Sequence, residues 1–89
     1  MPIQSLEDLL HDSPADRVVE YLRAQFLAAE GIDLTDDAQA LQRLRAAAVE
    51  AVAELATETA VDVSLPFITA TAAGAKHLAV TVPRAVLSA

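Results

Sequence analysis

The period of the apolar pattern changes near Thr59, and this change limits the chain to folds that combine helices with strands. Before it, the stretch from Thr35 to about Glu58 lacks glycine and proline and is rich in alanine, which favours one long helix. After it, apolar residues alternate with other residues from Val61 to Phe67, which is typical of a strand with one buried face. The order of the two patterns predicts an α+β domain.

Two helices are predicted from the signals at their ends. Ser13 and the proline after it form a helix start, because a serine side chain accepts a backbone hydrogen bond and proline needs no donor in the first turn. Gly31 ends this helix, since glycine readily adopts the left-handed conformation found there. The first helix is thus expected over residues 14–30. The second is expected over residues 36–58, with the hydroxyl of Thr35 as its cap.

Two strands, over residues 61–70 and 77–82, are expected to form an antiparallel hairpin whose turn lies at residues 73–75. The inward side chains of the first strand are expected to include Val61, Val63, Leu65 and Phe67. Pro66 cannot donate a hydrogen bond to a neighbouring strand, so this strand is expected to lie at an edge or to contain a bulge.

The predicted architecture is one α+β domain over residues 14–89, in which the two helices cover one face of the small sheet. An apolar and acidic segment over residues 1–13 precedes this domain, and residues 83–87 begin a further helical turn. The residues expected to be buried are Leu22, Phe26, Leu41, Leu44, Leu55, Val63, Leu65, Leu78 and Val80.

Composition and charge argue against several classes of function. The chain has 89 residues and a net charge of −7, and its first 37 residues carry nine acidic side chains against two arginines. Such a surface repels a phosphate backbone, so nucleic-acid binding is not expected. The apolar runs are too short to cross a membrane. The chain has no cysteine, which excludes disulfides and fits the cytoplasm or another reducing compartment.

The polar residues predict no catalytic, cofactor or metal site. His11 and His77 are interpreted as surface histidines. Asp36 and Asp37 are explained by the positive end of the second helix dipole rather than by a bound cation. No serine has a partnering base at a recognisable spacing. The sequence therefore predicts a protein without enzymatic activity.

The second helix has an apolar arc of about 200°, roughly twice what packing on one side requires. The residues of its core face are Leu41, Leu44, Ala48, Ala51 and Leu55. The sector beside this face is also apolar, and we call it the seam. The residues of the seam are Val49, Val52, Ala53 and Ala56. Exposed apolar strips usually mark contacts, so we expect an N-terminal apolar cluster to cover the seam, either in the same chain or exchanged with a second copy. The residues of this cluster are Ile3, Leu6, Leu9 and Leu10.

Six motifs follow one another between Arg17 and Leu87. They are GIDLTDD at 31–37, ALQRLR at 40–45, AEL at 53–55, DVSLPFIT at 62–69, GAKH at 74–77 and RAVL at 84–87. In this order they resemble the DnaK-type heat-shock chaperone family, which acts in the stress response. The part resembled is the outer half of the second lobe of the ATPase domain, named subdomain IIB.

The resemblance also implies that a nucleotide-binding face has degenerated. In the family, the second helix directs a Glu, a Lys, often an Arg, and a Ser towards the adenosine of the nucleotide. These positions correspond to Val49, Val52, Ala53 and Ala56, so no nucleotide or other cofactor is expected to bind there. The family's phosphate loops, catalytic lysine and metal-positioning aspartates belong to other subdomains, and the segment at 10–16 stands where a glycine-rich phosphate segment would lead into the first helix.

Two functions follow from these observations. The first is a non-catalytic interaction module whose former nucleotide face packs against its own N-terminal segment, a second copy or a foreign protein partner. The alternative is a fragment of a nucleotide-binding chaperone that retains exchange-factor binding or weak adenosine-nucleotide affinity. The family's outer lobe docks nucleotide-exchange factors, so Arg43 and Arg45 are further interface candidates, although neighbouring acids could also pair with them.

Overall fold

The computed structural model describes residues 13–88, in which two helices pack on a two-stranded antiparallel sheet. Its elements are α1 (Pro14–Glu30), α2 (Ala38–Leu55), β1 (Ala60–Thr71), β2 (Gly74–Pro83) and a 3-10 helix (Arg84–Ser88). This order confirms the predicted α+β class. The N-terminal apolar cluster and His11 lie outside the described residues.

Helix α1 has the ends that the sequence predicts. The hydroxyl oxygen of Ser13 accepts a hydrogen bond of 3.1 Å from the backbone N–H of Asp16. At the other end, Gly31 has φ of +70°, and its N–H donates to the carbonyl oxygen of Leu27 at 2.8 Å. Both caps satisfy backbone groups that a helix end leaves without an intrahelical partner.

Helix α2 begins two residues later than predicted, and its cap is different. The carboxylate of Asp37 accepts from the N–H of Ala40 at 3.0 Å, so Asp37 rather than Thr35 is the N-cap. Thr35 instead donates from its N–H, at 2.9 Å, and from its hydroxyl to the carboxylate of Asp33. The side chain predicted to cap the helix therefore stabilises the turn before it.

Helix α2 also ends three residues earlier than predicted, at Leu55. The hydroxyl of Thr57 donates to the carbonyl oxygen of Glu54 at 3.2 Å. Arg84 joins this helix end to the start of the 3-10 helix, since its Nε donates to the carbonyl oxygen of Leu55 at 2.9 Å and its N–H donates to that of Thr59 at 2.8 Å.

The hairpin places apolar side chains opposite one another on its inner face. The apolar pairs of its register are Val61 with Val82, Val63 with Val80, and Leu65 with Leu78. The turn lies one residue earlier than predicted, because Thr71 pairs with Gly74 and the loop is Ala72-Ala73. Gly74 has φ of +122°, a conformation that side-chain-bearing residues rarely adopt.

The bulge that Pro66 predicts is present in β1, and it reverses the direction of the next two side chains. The register passes from Leu65 opposite Leu78 to Thr69 opposite Lys76, so a single residue faces the stretch 66–68. As a result Phe67 is 69% exposed and Ile68 is buried. The prediction that Phe67 continues the inward row is therefore wrong, because the strand does not keep its two-residue period through a bulge.

The core lies between the helices and the inner face of the hairpin. The predicted core residues that are buried are Leu22, Phe26, Leu44, Leu55, Val63 and Leu78. Three others, Leu41, Leu65 and Val80, are half-buried and pack against the core. The buried residues also include Leu34 and Ala40, which the sequence analysis did not place in the core.

Candidate functional site

The seam runs along the C-terminal half of α2 beside the core face. Val52 is half-buried and packs against the core. Val49 is 58% exposed, and Ala53 is also exposed. Ala56 is the exposed C-cap of the helix and keeps helical backbone angles, so it continues the same strip. The seam therefore has three exposed apolar side chains and one, Val52, that packs against the core.

Basic residues lie at both ends of the seam. At its N-terminal end, an Nη1 of Arg45 contacts a carboxylate oxygen of Asp16 at 3.1 Å, and the Arg45 side chain is 65% exposed. At its C-terminal end lies Arg84, whose guanidinium reaches the carbonyl oxygen of Leu55. The contact between Arg45 and Asp16 also places the first turn of α1 beside the start of the seam.

Arg43 lies on a different side of α2 and reaches the bulge. Its Nη1 donates to the carbonyl oxygen of Phe67 at 2.8 Å. The N–H of Phe67 donates to Nδ1 of His77 at 2.8 Å, and the two rings meet edge to face with centroids 4.9 Å apart. Phe67 has φ of +55°, which costs an L-residue roughly 1–2 kcal/mol. The bulge is thus held through both its carbonyl and its N–H.

Arg43, Phe67 and His77 form a cluster at the bulge that was not predicted from the sequence. His77 is exposed, as predicted, but its ring also fixes the backbone of β1 across the hairpin. Pro66 is the sequence signal that could have located the cluster, because it predicts a bulge. In a bulge the backbone N–H of Phe67 has no partner on the neighbouring strand and needs a side-chain acceptor. A cavity of about 320 Å³ lies next to the cluster, between the start of α2 and the bulge, with Arg43, Phe67 and Thr69 among its lining residues.

Two acidic side chains near the start of α2, Asp33 and Asp37, serve structural roles. Asp37 caps α2 and accepts from the hydroxyl of Thr69 at 3.3 Å. The pKa of Asp33 is lowered, first by the hydrogen bond from the hydroxyl of Thr35, then by its backbone N–H, and further by the charge of Arg23. These contacts stabilise the ionised carboxylate at the loop between the helices.

Residues 13–88 contain neither a metal-binding cluster of side chains nor a membrane-spanning helix. No group of three or more histidine, aspartate or glutamate side chains in this range is arranged to hold a metal ion. None of its helices is long and apolar enough to span a membrane.

Comparison with known proteins relates this geometry to one family. Residues 12–89 match the sequence profile of the Hsp70 protein family. The chain is 56% identical over 69 residues to "Heat shock 70 kDa protein 6, chloroplastic" of Arabidopsis thaliana, which covers 78% of this chain and 10% of that protein. It is 52% identical over 67 residues to "Heat shock 70 kDa protein, mitochondrial" of Solanum tuberosum, which covers 75% of this chain and 10% of that protein.

A third relative, "Stromal 70 kDa heat shock-related protein, chloroplastic" of Spinacia oleracea, is 52% identical over 69 residues, or 78% of this chain and 12% of that protein. The chain thus spans about a tenth of the length of these relatives. Their names place these relatives in chloroplasts and mitochondria, whereas the composition of this chain predicted the cytoplasm or another reducing compartment. Because the profile matches nearly all of the chain, this protein belongs to the Hsp70 family, as a segment of its DnaK-type ATPase domain.

Proposed function

We propose that this chain is a non-catalytic protein-interaction module in which the former nucleotide face of an Hsp70 ATPase subdomain packs against protein. The observation that carries this proposal is the seam, where Val49 is 58% exposed beside exposed Ala53 and Ala56. Surface strips of contiguous apolar side chains usually mark interaction sites. The same positions are those that the family resemblance assigns to adenosine contacts.

The chemistry of the seam disfavours a nucleotide. An adenosine laid on Val49 and Val52 would find no side-chain donor or acceptor there for its ribose hydroxyls or ring nitrogens. Each polar group that is desolvated without a partner costs about 1–3 kcal/mol, so several such groups would remove most of the affinity of a nucleotide site. An apolar protein surface carries no such cost at the seam.

Burial of the seam would stabilise a contact appreciably. Covering about 200 Å² of apolar surface contributes about 5 kcal/mol before the entropy of ordering the covering segment is subtracted. Val52 already packs against the hydrophobic core, so a surface that covers the seam would extend this core.

Two described side chains that could act as an acid or a base, His77 and Asp16, are engaged in structural contacts. His77 accepts from a backbone N–H through Nδ1, and Asp16 pairs with Arg45. These contacts support the assignment of a binding role without turnover. ATP hydrolysis by this chain, in a preparation cleared of full-length chaperone, would contradict that assignment.

The proposal is tested by the reactivity of a single thiol placed in the seam. The chain has no cysteine, so Val49→Cys introduces the only reactive thiol. Ala28→Cys, at an exposed position of α1, is the matched control. Each reaction rate is normalised to that of the same variant unfolded in urea. The normalised rate of Val49→Cys should be at least about tenfold lower than that of the control, because a covering segment that binds the seam by about 1.4 kcal/mol reduces its exposure tenfold. Equal normalised rates would mean that the seam is open surface and that the proposed function is wrong.

A second candidate function is docking of a nucleotide-exchange factor at the bulge. The observation that favours it is the exposed side chain of Phe67, whose backbone carbonyl oxygen accepts from Arg43 and which lies beside the 320 Å³ cavity. Aromatic and arginine side chains are enriched where partners bind most strongly. If this candidate is correct, Phe67→Ala should abolish binding of an exchange factor from a DnaK-type system and Val49→Glu should leave it unchanged.

A further inference from the structure

We infer that residues 3–10 of the same chain are the occupant of the seam. This inference rests on the proposed function, because it names the protein surface that covers the former nucleotide face. It depends on where the chain enters α1, on the length of chain before that point, and on the chemistry of the seam and its flanks.

The entry point of the chain lies beside the seam. Asp16, in the first turn of α1, contacts Arg45 of α2 at 3.1 Å. Val49, Val52 and Ala56 follow Arg45 by four, seven and eleven residues. At 100° per residue they lie within about 60° of one another, on the same side of α2 as Arg45. The contact between Asp16 and Arg45 therefore places the N-terminal segment at the start of the seam rather than at a distant part of the fold.

The available length matches the length of the seam. From Val49 to Ala56 the helix rises about 10 Å, and eight residues in a helix span about 12 Å. Residues 11–12 connect this segment to Ser13, and two residues reach up to about 7 Å when extended. The segment can thus lie along the seam without any change in α1.

The N-terminal segment also complements the seam in polarity and charge. Its apolar residues recur at intervals of three and four, which gives a helix of this segment one apolar side. On such a helix Glu7 would lie at the edge of the apolar side, about 60° from Leu10, and Asp8 would lie opposite that side. The seam is apolar along its length and has Arg45 and Arg84 at its ends. Acidic side chains at the edge of the segment would meet these arginines, whereas a basic segment would be repelled.

The short connection favours the chain's own segment over that of a second copy. A segment tethered by two residues is present at an effective concentration of about millimolar or above. A second copy would have to reach that concentration to compete. The N-terminal segment therefore packs on the seam of its own chain.

Paramagnetic labelling of the full chain tests this inference. Ser5→Cys carries a nitroxide in the N-terminal segment, at a position outside the apolar cluster. The expected result is broadening of the amide signals of Val49, Val52 and Ala53, with loss of most of their intensity and no dependence on protein concentration. Ala72→Cys carries the control label on the hairpin loop. That loop lies towards the N-terminal end of α2, because the hydroxyl of Thr69 contacts Asp37 there, and its label should leave the seam signals intact.

A mixed sample separates the two occupants. Isotope-labelled chain without nitroxide is combined with unlabelled chain carrying the nitroxide at residue 5. Broadening of the seam signals in this mixture would assign the seam to a second copy and overturn the inference, while protection of Val49→Cys would leave the proposed function standing. Absence of broadening in both samples would also overturn the inference. A second variant, Leu6→Glu, should raise the normalised thiol reactivity of Val49→Cys to that of Ala28→Cys, and unchanged protection would again contradict packing by this segment.

Discussion

Replacement of Leu44 by alanine is the strongest test of the packing between α2 and the rest of the fold. Leu44 is fully buried at the middle of α2. Its neighbours on the same helix face include Ala40, Ala48 and Ala51, which are also buried. An alanine side chain cannot change its rotamer to fill the cavity that the truncation leaves. These neighbours therefore allow little relaxation around the site. We therefore expect a cost of about 3–5 kcal/mol, in the upper part of the range for buried leucine truncations.

The assay is urea unfolding followed by far-UV circular dichroism, with Leu27→Ala as the matched control. Leu27 lies on α1 and is 46% exposed, so its truncation should cost less than about 1 kcal/mol. A domain of this size has a total stability on the order of 5–10 kcal/mol, and Leu44→Ala should remove a large part of it. In thermal unfolding this corresponds to a drop of more than about 12 °C. If the two variants unfolded at the same urea concentration, the described core would be wrong.

Four further substitutions test the bulge and the loop between the helices. Phe67→Gly should leave urea stability equal or slightly raised, because glycine takes φ of +55° without strain, whereas Phe67→Val keeps an L-residue at that φ and should be about 1–2 kcal/mol less stable than Phe67→Gly; identical midpoints for both would contradict the left-handed backbone. His77→Ala removes the acceptor for the N–H of Phe67 and should cost about 0.5–1.5 kcal/mol, together with faster hydrogen exchange of that amide; an unchanged exchange rate would refute this role. The pKa of Asp33 is lowered from 3.8 by hydrogen bonds from Thr35 and by the charge of Arg23. Its ionised carboxylate therefore stabilises the fold above pH 3.8, and this contribution is lost as the pH falls from 3.8 through the folded-state pKa. Asp33→Asn should therefore flatten the acid limb of the stability curve, and an unaltered slope would contradict the hydrogen-bonded loop.

The helices and the hairpin could be predicted from local signals. Ser13 and Gly31 have short-range chemistry that determines where α1 begins and ends, and both act as predicted. The alternation of Val61 and Val63 likewise predicts the inner face of β1. Such features depend on a residue and its near neighbours, so sequence alone is sufficient to find them.

Features that depend on competing contacts were not predictable in this way. Thr35 could cap a helix, but it is hydrogen-bonded to Asp33 instead, and Asp37 is the N-cap of α2. Phe67 turns outward because the bulge adds residues to one strand only, and the size of a bulge does not follow from the presence of Pro66. The seam itself was predicted from helical periodicity, yet periodicity does not identify what covers it.

We propose that the seam is a surface for protein packing and does not bind nucleotide. The most direct test is a titration of the isotope-labelled full chain with ADP and then ATP, followed at the amide signals of Val49, Val52, Ala53 and Ala56. We expect no saturable shift of these signals up to millimolar nucleotide. A saturable shift centred on these amides would contradict it and would favour a chaperone fragment that retains adenosine binding.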